Sequence, residues 1–381
     1  MIIDNILLDN LTAQAKESPR LRMNLDLRNS DADSSQRMLN AIEPGSEVPV
    51  HRHRGTSETV VVLRGRVIAF INDHFDWKLP LVNLPEYFTY YYCGKQLQYV
   101  LAEQDGELLA AAGYILANQS DTPDVWVSVW VAKKGHNGVG LELMNSLPGL
   151  LHARVVACNN IRPKTCVFYR FLGWTAERMP HYFRLSGQSE YHLCRPADTR
   201  VLPVTGSLAL ERVENARQLQ ALGMPPCPHT PAKDVWYMKR RYFAFPHLQY
   251  DVWCARENGA LLGYLVTRTV ASGEHGEIPV LRLVDFVGED CVLPRLGTAI
   301  DRLLHREKAE YAECYNAGIP AAIWAEAGFS QRLPGDGNII PNYLTPPLYD
   351  NTEYYYFTNQ PEGFTMFKAD GDQDRPNLSV D

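Results

Sequence analysis

The chain has 381 residues, of which 37 are basic and 44 acidic, so its formal net charge is −7. This balance disfavours nucleic acid and anionic membrane surfaces as partners. The hydrophobic fraction of 45% is that of a globular protein, and no apolar run approaches the ~20 residues that span a bilayer. The first residues lack a signal-peptide pattern, and the eight cysteines form no Cys-x-x-Cys pair. We therefore expect a cytoplasmic protein of two or three domains that binds neither nucleic acid nor membranes.

Residues 1–66 predict a short helix over 9–16, a polar linker and then β-strands. In the β-rich part, His51 and His53 are two positions apart, so both point to the same side of a strand, and Glu58 follows one hairpin leg later. Two histidines and a carboxylate are a ligand set that can hold a metal ion.

The spacing of these three residues between Gly45 and Gly65 resembles the first motif of the WbuC-type cupins. The resemblance implies a metal site formed by His51, His53 and Glu58. A complete cupin barrel needs a second half with a further histidine, which the later sequence lacks, so we predict a partial cupin segment. The alternative is a vestigial half-barrel with surface histidines. We expect the segment to pack as a β-hairpin on the next domain or on a second subunit of a homodimer, and we expect the reaction to need no metal.

Residues 67–190 form the next predicted domain. Helical spacing predicts a helix over 67–75, and an aromatic segment at 86–92 either lines an acceptor pocket or belongs to the core. Asp105-Gly106, placed between two apolar runs, predicts a β-hairpin over 98–116.

A buried strand over 125–131 is followed by a glycine-containing turn and by a helix over 141–147. This order produces an anion site, because glycines let the backbone approach a phosphate and the helix N-terminus offers free N–H groups. The next strand, 154–158, ends before Asn159-Asn160, and a second helix carries Tyr169.

The same order of elements is similar to that of the GNAT (GCN5-related) N-acyltransferases, and the similarity implies an acyl-CoA site. The implied cofactor-binding residues are Trp130, Val131, Gly138, Val139, Gly140 and Asn160. Asn160 (or Asn159) and Tyr169 would face the thioester, and the Tyr169 hydroxyl would reprotonate the leaving thiolate. One position departs from the family pattern, because Gly135 replaces the usual Arg or Gln before the first glycine of the turn.

The order of predicted elements then repeats later in the chain at a nearly constant offset. Residues 255–263 mirror 102–110 at an offset of 153, and Gly328-Phe329 mirrors Gly173-Trp174 at an offset of 155. A constant offset indicates two copies of one fold in tandem. We therefore predict a mixed α/β (α+β) fold with two GNAT-like copies, the second over 200–381, behind the β-rich partial cupin segment.

The second copy differs from the first at the expected site. Trp324 replaces Tyr169 and has no hydroxyl, and Pro294 in the turn removes a backbone N–H group. We therefore interpret this copy as a non-catalytic, acceptor-binding partner. Its predicted substrate-binding residues are Asp285, Asp370, Asp372, Asp374 and Arg375. The alternative is that the charged tail is solvated.

The tail also resembles that of tandem GNAT-like proteins from polysaccharide and sugar-nucleotide gene clusters. This resemblance implies an acyl-CoA-dependent N-acyltransferase, with acetyl-CoA or another acyl-CoA as co-substrate and an amino sugar or sugar nucleotide as acceptor. The sequence does not identify the general base, for which His181 and Asp285 are the two candidates. The competing hypothesis is an inactive sugar-binding or scaffold protein that keeps the double fold.

Overall fold

A computed structural model describes residues 5–28, 38–43, 46, 65–94, 97–136, 138–274, 276–376 and 378–380. Contacts divide the chain into two compact units, residues 1–66 with 93–97 and residues 67–92 with 98–381.

The described part of the smaller unit contains a helix and an antiparallel pair of strands. Helix α1 (Asn5–Glu17) contacts both strands of the antiparallel pair β1 (Arg22–Asp26) and β2 (Met38–Ile42). The predicted helix over 9–16 lies within α1, which buries Leu11 and Ala15. His51, His53 and Glu58 lie outside the described residues, so the predicted metal site and half-barrel stay a prediction.

The larger unit begins with what we call the first half. Its elements are α2 (Gly65–His74), α3 (Pro80–Asn83), α4 (Pro85–Tyr92), β3 (Tyr99–Gln104), β4 (Glu107–Leu116), β5 (Asp124–Ala132), α5 (Val139–Leu150), β6 (Val155–Cys158), α6 (Cys166–Phe171) and β7 (Thr175–Arg178). The aromatic segment forms α4, and its Tyr87, Tyr91 and Tyr92 are buried.

The remaining elements form the second half. They are β8 (His181–Leu185), β9 (Glu211–Arg212), α7 (Ala216–Leu222), α8 (Val235–Phe243), β10 (Asp251–Glu257), β11 (Ala260–Ser272), β12 (Ile278–Gly288), α9 (Val292–Arg295), α10 (Gly297–Arg306), β13 (Tyr311–Ala317), α11 (Ala321–Glu326), β14 (Ser330–Arg332), β15 (Tyr355–Thr358) and β16 (Met366–Phe367). No helix among the described residues is long and apolar enough to cross a membrane.

Among the described residues, the strands of the larger unit form two mixed sheets, so the fold is mixed α/β as predicted. One sheet has the order β3-β4-β5-β6-β15-β7, and the other has β14-β8-β13-β12-β11-β10-β9 with β16 beside β13. Strand β8 follows β7 in the chain but lies between β13 and β14, whereas β15 follows β14 but lies between β6 and β7. The second half therefore supplies β15 as an interior strand to the sheet of the first half, whereas β8, which directly follows β7, enters the other sheet. The domain boundaries 67–190 and 200–381 stay a prediction.

The two halves repeat the same local backbone geometry. Asp105 and Gly106 have φ of 51° and 80° in the first hairpin, and Asn258 and Gly259 have φ of 50° and 84° in the second. Positive φ at both central residues is what a tight two-residue hairpin turn requires. A bulge follows Ala102 in β3 and Ala255 in β10, so the register shift also recurs at the same offset.

Candidate functional site

The site begins where strands β5 and β6 separate. Their parallel pairing runs from Asp124 opposite Val155 to Trp126 opposite Ala157 and then stops. Strand β5 continues to Ala132, and within the described residues no strand pairs with this stretch on the β6 side. Its backbone groups on that side are therefore available to a ligand. We call the space between residues 127–132 and the end of β6 the opening.

A β-bulge in β5 shapes one wall of the opening. Ala112 pairs with Trp130 and Tyr114 pairs with Val127, so two residues of β5 face a single residue of β4. In a regular strand Val127 and Trp130 would point to opposite faces, but here both join the apolar cluster under α5 and α6. The extra residue of a bulge is left out of the hydrogen-bond ladder with β4, and the bulge bends β5 beside the opening.

The glycine turn after β5 leaves the start of α5 uncovered. Gly135 and Gly138 have φ of 91° and 94°, and a Cβ atom on either would find no atom within 4 Å. Gly140 is required for a different reason, because its Cβ would lie 2.9 Å from Cβ of Ala132. The first N–H groups of a helix have no partner within the helix and carry a partial positive charge. The predicted residues Gly138, Val139 and Gly140 thus form an open helix N-terminus.

Basic side chains surround this turn. Lys134 is almost fully exposed and lies 3.8 Å from Asp76, and Lys133 pairs with Glu107. His136 is also in the turn and exposed. Trp130, beneath the turn, has a buried indole Nε1 without a hydrogen-bond partner. Cations, free N–H groups and an unused donor together fit a phosphate-bearing ligand such as CoA.

Tyr169 of α6 lies on the face of the sheet that α5 also covers. Its ring is buried, stacks on Phe357 at 4.0 Å between ring centroids and lies 6.2 Å from the Trp130 ring. Burial raises the pKa of the Tyr169 hydroxyl well above its ordinary value. The hydroxyl therefore stays protonated at any physiological pH.

The two asparagines after β6 have different surroundings. Asn159 is buried, and its Nδ2 donates to the carbonyl oxygen of Lys368 at 2.7 Å. Asn160 is exposed, has a φ of 54°, and donates through Nδ2 to Oε1 of Gln373 at 3.2 Å. Asn159 therefore anchors the carboxyl-terminal segment, and the predicted Asn160 stands at the outer end of the opening.

The carboxyl-terminal segment crosses the opening and forms a network that we call the Asp372 network. Ser128 donates to Oδ2 of Asp372 at 2.6 Å, and the Tyr92 hydroxyl lies 2.6 Å from the same Ser128 oxygen. Because a carboxylate only accepts, the Ser128 proton points to Asp372, so Tyr92 donates to Ser128. Gln373 donates to Oδ1 of Asp372 at 2.6 Å and connects the network to Asn160.

Lys233 joins two of the predicted substrate-binding residues in a buried ion triad. Its Nζ lies 2.6 Å from Asp285 and 2.7 Å from Asp370, and Tyr242 donates to Asp285 at 2.5 Å. Burial raises the pKa of Asp370 to about 6. Burial acts to lower the pKa of Lys233, but Asp285 and Asp370 raise it above its ordinary value, so Lys233 keeps its charge.

The last two predicted substrate-binding residues are held by other parts of the chain. Asp374 is buried and accepts from Arg268 at 2.6 Å and from Arg282 at 3.0 Å. These arginines lower its pKa although burial acts to raise it. Arg375 donates to the backbone oxygen of Asp372 at 2.6 Å. The alternative of a solvated tail is therefore wrong for these residues, whose charges are paired inside the protein.

The corresponding place in the second half is filled by the chain itself. Leu208 N donates to the backbone oxygen of Arg295 at 3.0 Å, and a Cβ on Gly297 would lie 3.2 Å from Cγ1 of Val204. Trp324 is fully buried, and its Nε1 donates to Oδ1 of Asn316 at 3.3 Å. The start of α10 is thus covered by residues 204–208, whereas the start of α5 is open.

Sequence reasoning missed three contributors to the site. Ser128 could have been found from the sequence, because it places a hydroxyl within an apolar strand. Lys233 and Arg268 stand in no recognisable sequence motif. His181, one of the two candidates for the general base, is buried in the second sheet, where its ring stacks on Tyr315 at 3.9 Å. Burial lowers the pKa of His181. Within the described ranges no group of His, Cys, Asp and Glu could hold a metal ion.

Residues 3–76 match a family model described as "Domain of unknown function (DUF6016)". That description names no activity. No curated protein matches the sequence.

Several solved structures resemble the chain at low identity. A GCN5-related N-acetyltransferase from Anabaena variabilis has 12% identity and a TM-score of 0.45 over 77% of this chain and 69% of its own. A probable N-acyltransferase from Enterococcus faecalis has 10% identity and a TM-score of 0.43 over the same shares. A fungal GCN5-related glucosamine N-acetyltransferase region has 11% identity and a TM-score of 0.40 over 90% of this chain and 38% of that one. All three TM-scores are below 0.5, and no conclusion about function follows from them.

Proposed function

We propose that the protein is an acyl-CoA-dependent N-acyltransferase with two GNAT-like copies in tandem, of which only the first binds CoA. The observation that carries the proposal is the open N-terminus of α5 beside the unpaired stretch of β5. The lysines Lys133 and Lys134 support it, because they place ammonium groups in the turn where a pyrophosphate would bind, and His136 lies beside them. The covered start of α10 supports the restriction to one copy.

Each group at the opening has a role in this proposal. Acyl-CoA, when bound, supplies a thioester carbonyl. The available backbone N–H groups of β5 near Trp130 and Val131 orient that carbonyl and favour negative charge on its oxygen. Tyr169 holds a proton for the leaving sulfur, and Asn160 positions the acyl group at the outer end of the opening.

The Asp372 network gives the reaction a base. An amine must lose its proton to attack a carbonyl, and Asp372 is the carboxylate that the structure brings to the opening. Ser128 can relay that proton, since it already donates to Asp372 at 2.6 Å. The negative charge of Asp372 also favours binding of an amine in its ammonium form.

For the acceptor we propose an amino sugar or a sugar nucleotide of surface-polysaccharide biosynthesis, acetylated in the cytoplasm. Gln373, Asn160 and Arg375 offer amide and guanidinium groups beside Asp372, and such groups bind sugar hydroxyls. The charges of Asp285, Asp370 and Asp374 are already paired. These residues therefore contribute by fixing the conformation of the carboxyl-terminal segment.

An inactive sugar-binding or scaffold protein is the second candidate. Gly135 in place of a basic or amide residue favours it, and so does the segment that crosses the opening. A Cβ on Gly371 would lie 3.3 Å from Cβ of Trp126, so this segment packs closely on the sheet. An acceptor has to bind beside the segment or displace it.

Calorimetric titration with acetyl-CoA separates the two candidates. The transferase should bind acetyl-CoA at one site per chain and release CoA when glucosamine or a UDP-amino sugar is added. Binding without CoA release from any amino sugar would favour the inactive candidate, and no binding of acetyl-CoA would overturn the proposal.

A further inference from the structure

Helix α8 has a buried side and a partly exposed side. The buried side chains are those of Tyr237, Met238, Arg241 and Tyr242. Trp236, Lys239 and Arg240 are only partly buried. Residues three and four positions apart lie on the same side of a helix, so these three side chains are neighbours. We call them the α8 face, which combines two cations with a large aromatic ring.

The guanidinium group of Arg240 is held by two aromatic rings. Its central carbon lies 4.2 Å from the centroid of the Tyr90 ring of α4 and 5.4 Å from that of the Trp236 ring. The Tyr90 hydroxyl also donates to the backbone oxygen of Arg240 at 2.9 Å, which joins α4 to α8. A cation is attracted to the face of an aromatic ring. The guanidinium group is therefore positioned before any ligand binds.

Neither cation of the α8 face is neutralised by an acid. The Lys239 Nζ donates to Oε1 of Gln220 in α7 at 2.8 Å, and this amide carries no charge. In the part of the chain that the structure describes, no carboxylate pairs with Lys239 or Arg240. The exposed Glu86 of α4 lies 3.7 Å from His247 instead. An arginine whose planar fork is not used by a carboxylate can bind phosphate oxygens.

The helices that form the α8 face also hold the Asp372 network. Arg241, the next residue of α8, donates to the backbone oxygen of Gln373 at 2.8 Å, and Gln373 donates to Asp372 at 2.6 Å. In α4, Tyr90 is two residues before Tyr92, which belongs to that network. The α8 face is thus tied to the place where the proposed function puts the acceptor amine.

We propose that the α8 face binds a nucleoside diphosphate group of the acceptor. This inference rests on the proposed function and selects a nucleotide-linked amino sugar over a free one. Arg240 and Lys239 bind the diphosphate oxygens, and the accessible part of the Trp236 ring stacks on the base. The proposed function places the pyrophosphate of acyl-CoA at the start of α5, so the two nucleotides have separate sites.

The test is a calorimetric titration of the full-length protein with UDP, with and without saturating acetyl-CoA. UDP should bind in both cases, and Arg240→Gln should weaken its binding about tenfold or more, because a hydrogen bond between charged groups is lost. Acetyl-CoA affinity should stay unchanged in this variant. Arg302→Gln is the matched control, since Arg302 is an exposed arginine of α10, and it should keep the wild-type affinity for UDP.

The outcomes separate this inference from the proposed function. No UDP binding, displacement of UDP by acetyl-CoA, or equal UDP affinities in Arg240→Gln and Arg302→Gln would overturn the inference. Acetyl-CoA binding with acetylation of free glucosamine would at the same time keep the transferase. UDP binding that depends on Arg240 in a protein that does not bind acetyl-CoA would keep the nucleotide site and overturn the transferase.

Two further variants assign the roles within the α8 face. Trp236→Leu should weaken UDP binding about fivefold or more and leave the affinity for inorganic pyrophosphate unchanged, because pyrophosphate has no base to stack. An equal loss for both ligands would overturn the stacking role. If circular dichroism shows that Arg240→Gln is unfolded, Lys239→Gln decides. It should weaken UDP and pyrophosphate binding alike by about fivefold, and unchanged affinities in that variant would overturn the inference.

Discussion

The two halves of the larger unit contain equivalent strands and helices, but they differ in whether the helix after the turn begins in open space. In the first half the helix after the turn begins in open space at Gly138. In the second half the equivalent helix begins at Gly297, and residues 204–208 lie over its start. The difference does not come from the sheets, which both contain a hairpin and one parallel pair. It comes from the connecting segment at residues 204–208, which covers the start of the helix in the second half, whereas the start of the helix in the first half is uncovered. We call the first half the open half and the second half the filled half.

The comparison shows how a repeated fold can keep one site and close the other. The filled half is more than an inert copy, since it supplies β15 to the first sheet and the segment that crosses the opening. Phe357 of β15 is the ring on which Tyr169 stacks. The predictions below test whether chemistry belongs to the open half and stability to the filled one.

The largest expected effect concerns the buried hydroxyl in the open half. Tyr169→Phe should lower kcat by about 10²–10⁴-fold with little change in acetyl-CoA affinity, because it removes a proton donor and keeps the stacked ring. CoA release measured by chromatography gives the rate. Tyr182→Phe is the matched control, since Tyr182 is a buried tyrosine stacked on Trp324 in the filled half, and it should keep the wild-type rate. Equal rates for both variants would remove Tyr169 from the mechanism.

The second prediction concerns the ion triad behind the site. Lys233→Met should lower the free energy of unfolding by about 3–5 kcal/mol, because it leaves Asp285 and Asp370 buried without their cation. Urea denaturation measures the change. Lys134→Met removes an exposed lysine and should change stability by less than about 0.5 kcal/mol. A small effect of Lys233→Met would mean that the triad does not hold the carboxyl-terminal segment.

The third prediction compares two glycines of similar conformation. Gly138→Asp should weaken acetyl-CoA binding about tenfold or more, since a carboxylate near a phosphate costs ~1–4 kcal/mol. Gly259→Asp introduces the same side chain at a φ of 84°, also into open space, but in the hairpin turn of the second half. It should therefore carry the same backbone strain and leave affinity unchanged. Calorimetry measures both, and an equal loss in both variants would mean that strain alone is responsible.

The sequence predicted the local elements of both halves well, because their signals are local. Asp105-Gly106 specifies its hairpin turn by conformational preference, and the repeat at Asn258-Gly259 follows from the same rule. The glycine turn and Tyr169 were identifiable for the same reason. The sheets that β8 and β15 join were not predictable, since the residues of a strand do not specify which of two similar sheets it joins.

The acidic tail was ambiguous for a related reason. A run such as Asp370, Asp372 and Asp374 is usually solvated, and only partners distant in the sequence bury it. Arg268 and Lys233 precede the tail by more than a hundred residues and stand in no recognisable motif. The pairing depends on tertiary structure, which periodicity and spacing do not encode.

The smallest expected effect is a pH dependence that arises in the filled half. Lys368 lies in a cleft with Arg282, Glu313 and Asp374, and burial, assisted by Arg282, lowers its pKa to about 7. Between pH 7 and the ordinary lysine pKa of about 10.5, the unfolded chain holds this proton and the folded chain does not. This group therefore makes the folded state more stable as pH rises through that range. Because Lys368 is partly accessible to solvent, we expect a gain of only about 1–2 kcal/mol. Lys368→Met should remove the gain in urea denaturation at pH 7 and pH 9.5, whereas Lys164→Met, at an exposed lysine of the first half, should keep it. A gain that persists in Lys368→Met would place the titrating group elsewhere and leave the filled half without a pH-dependent lysine.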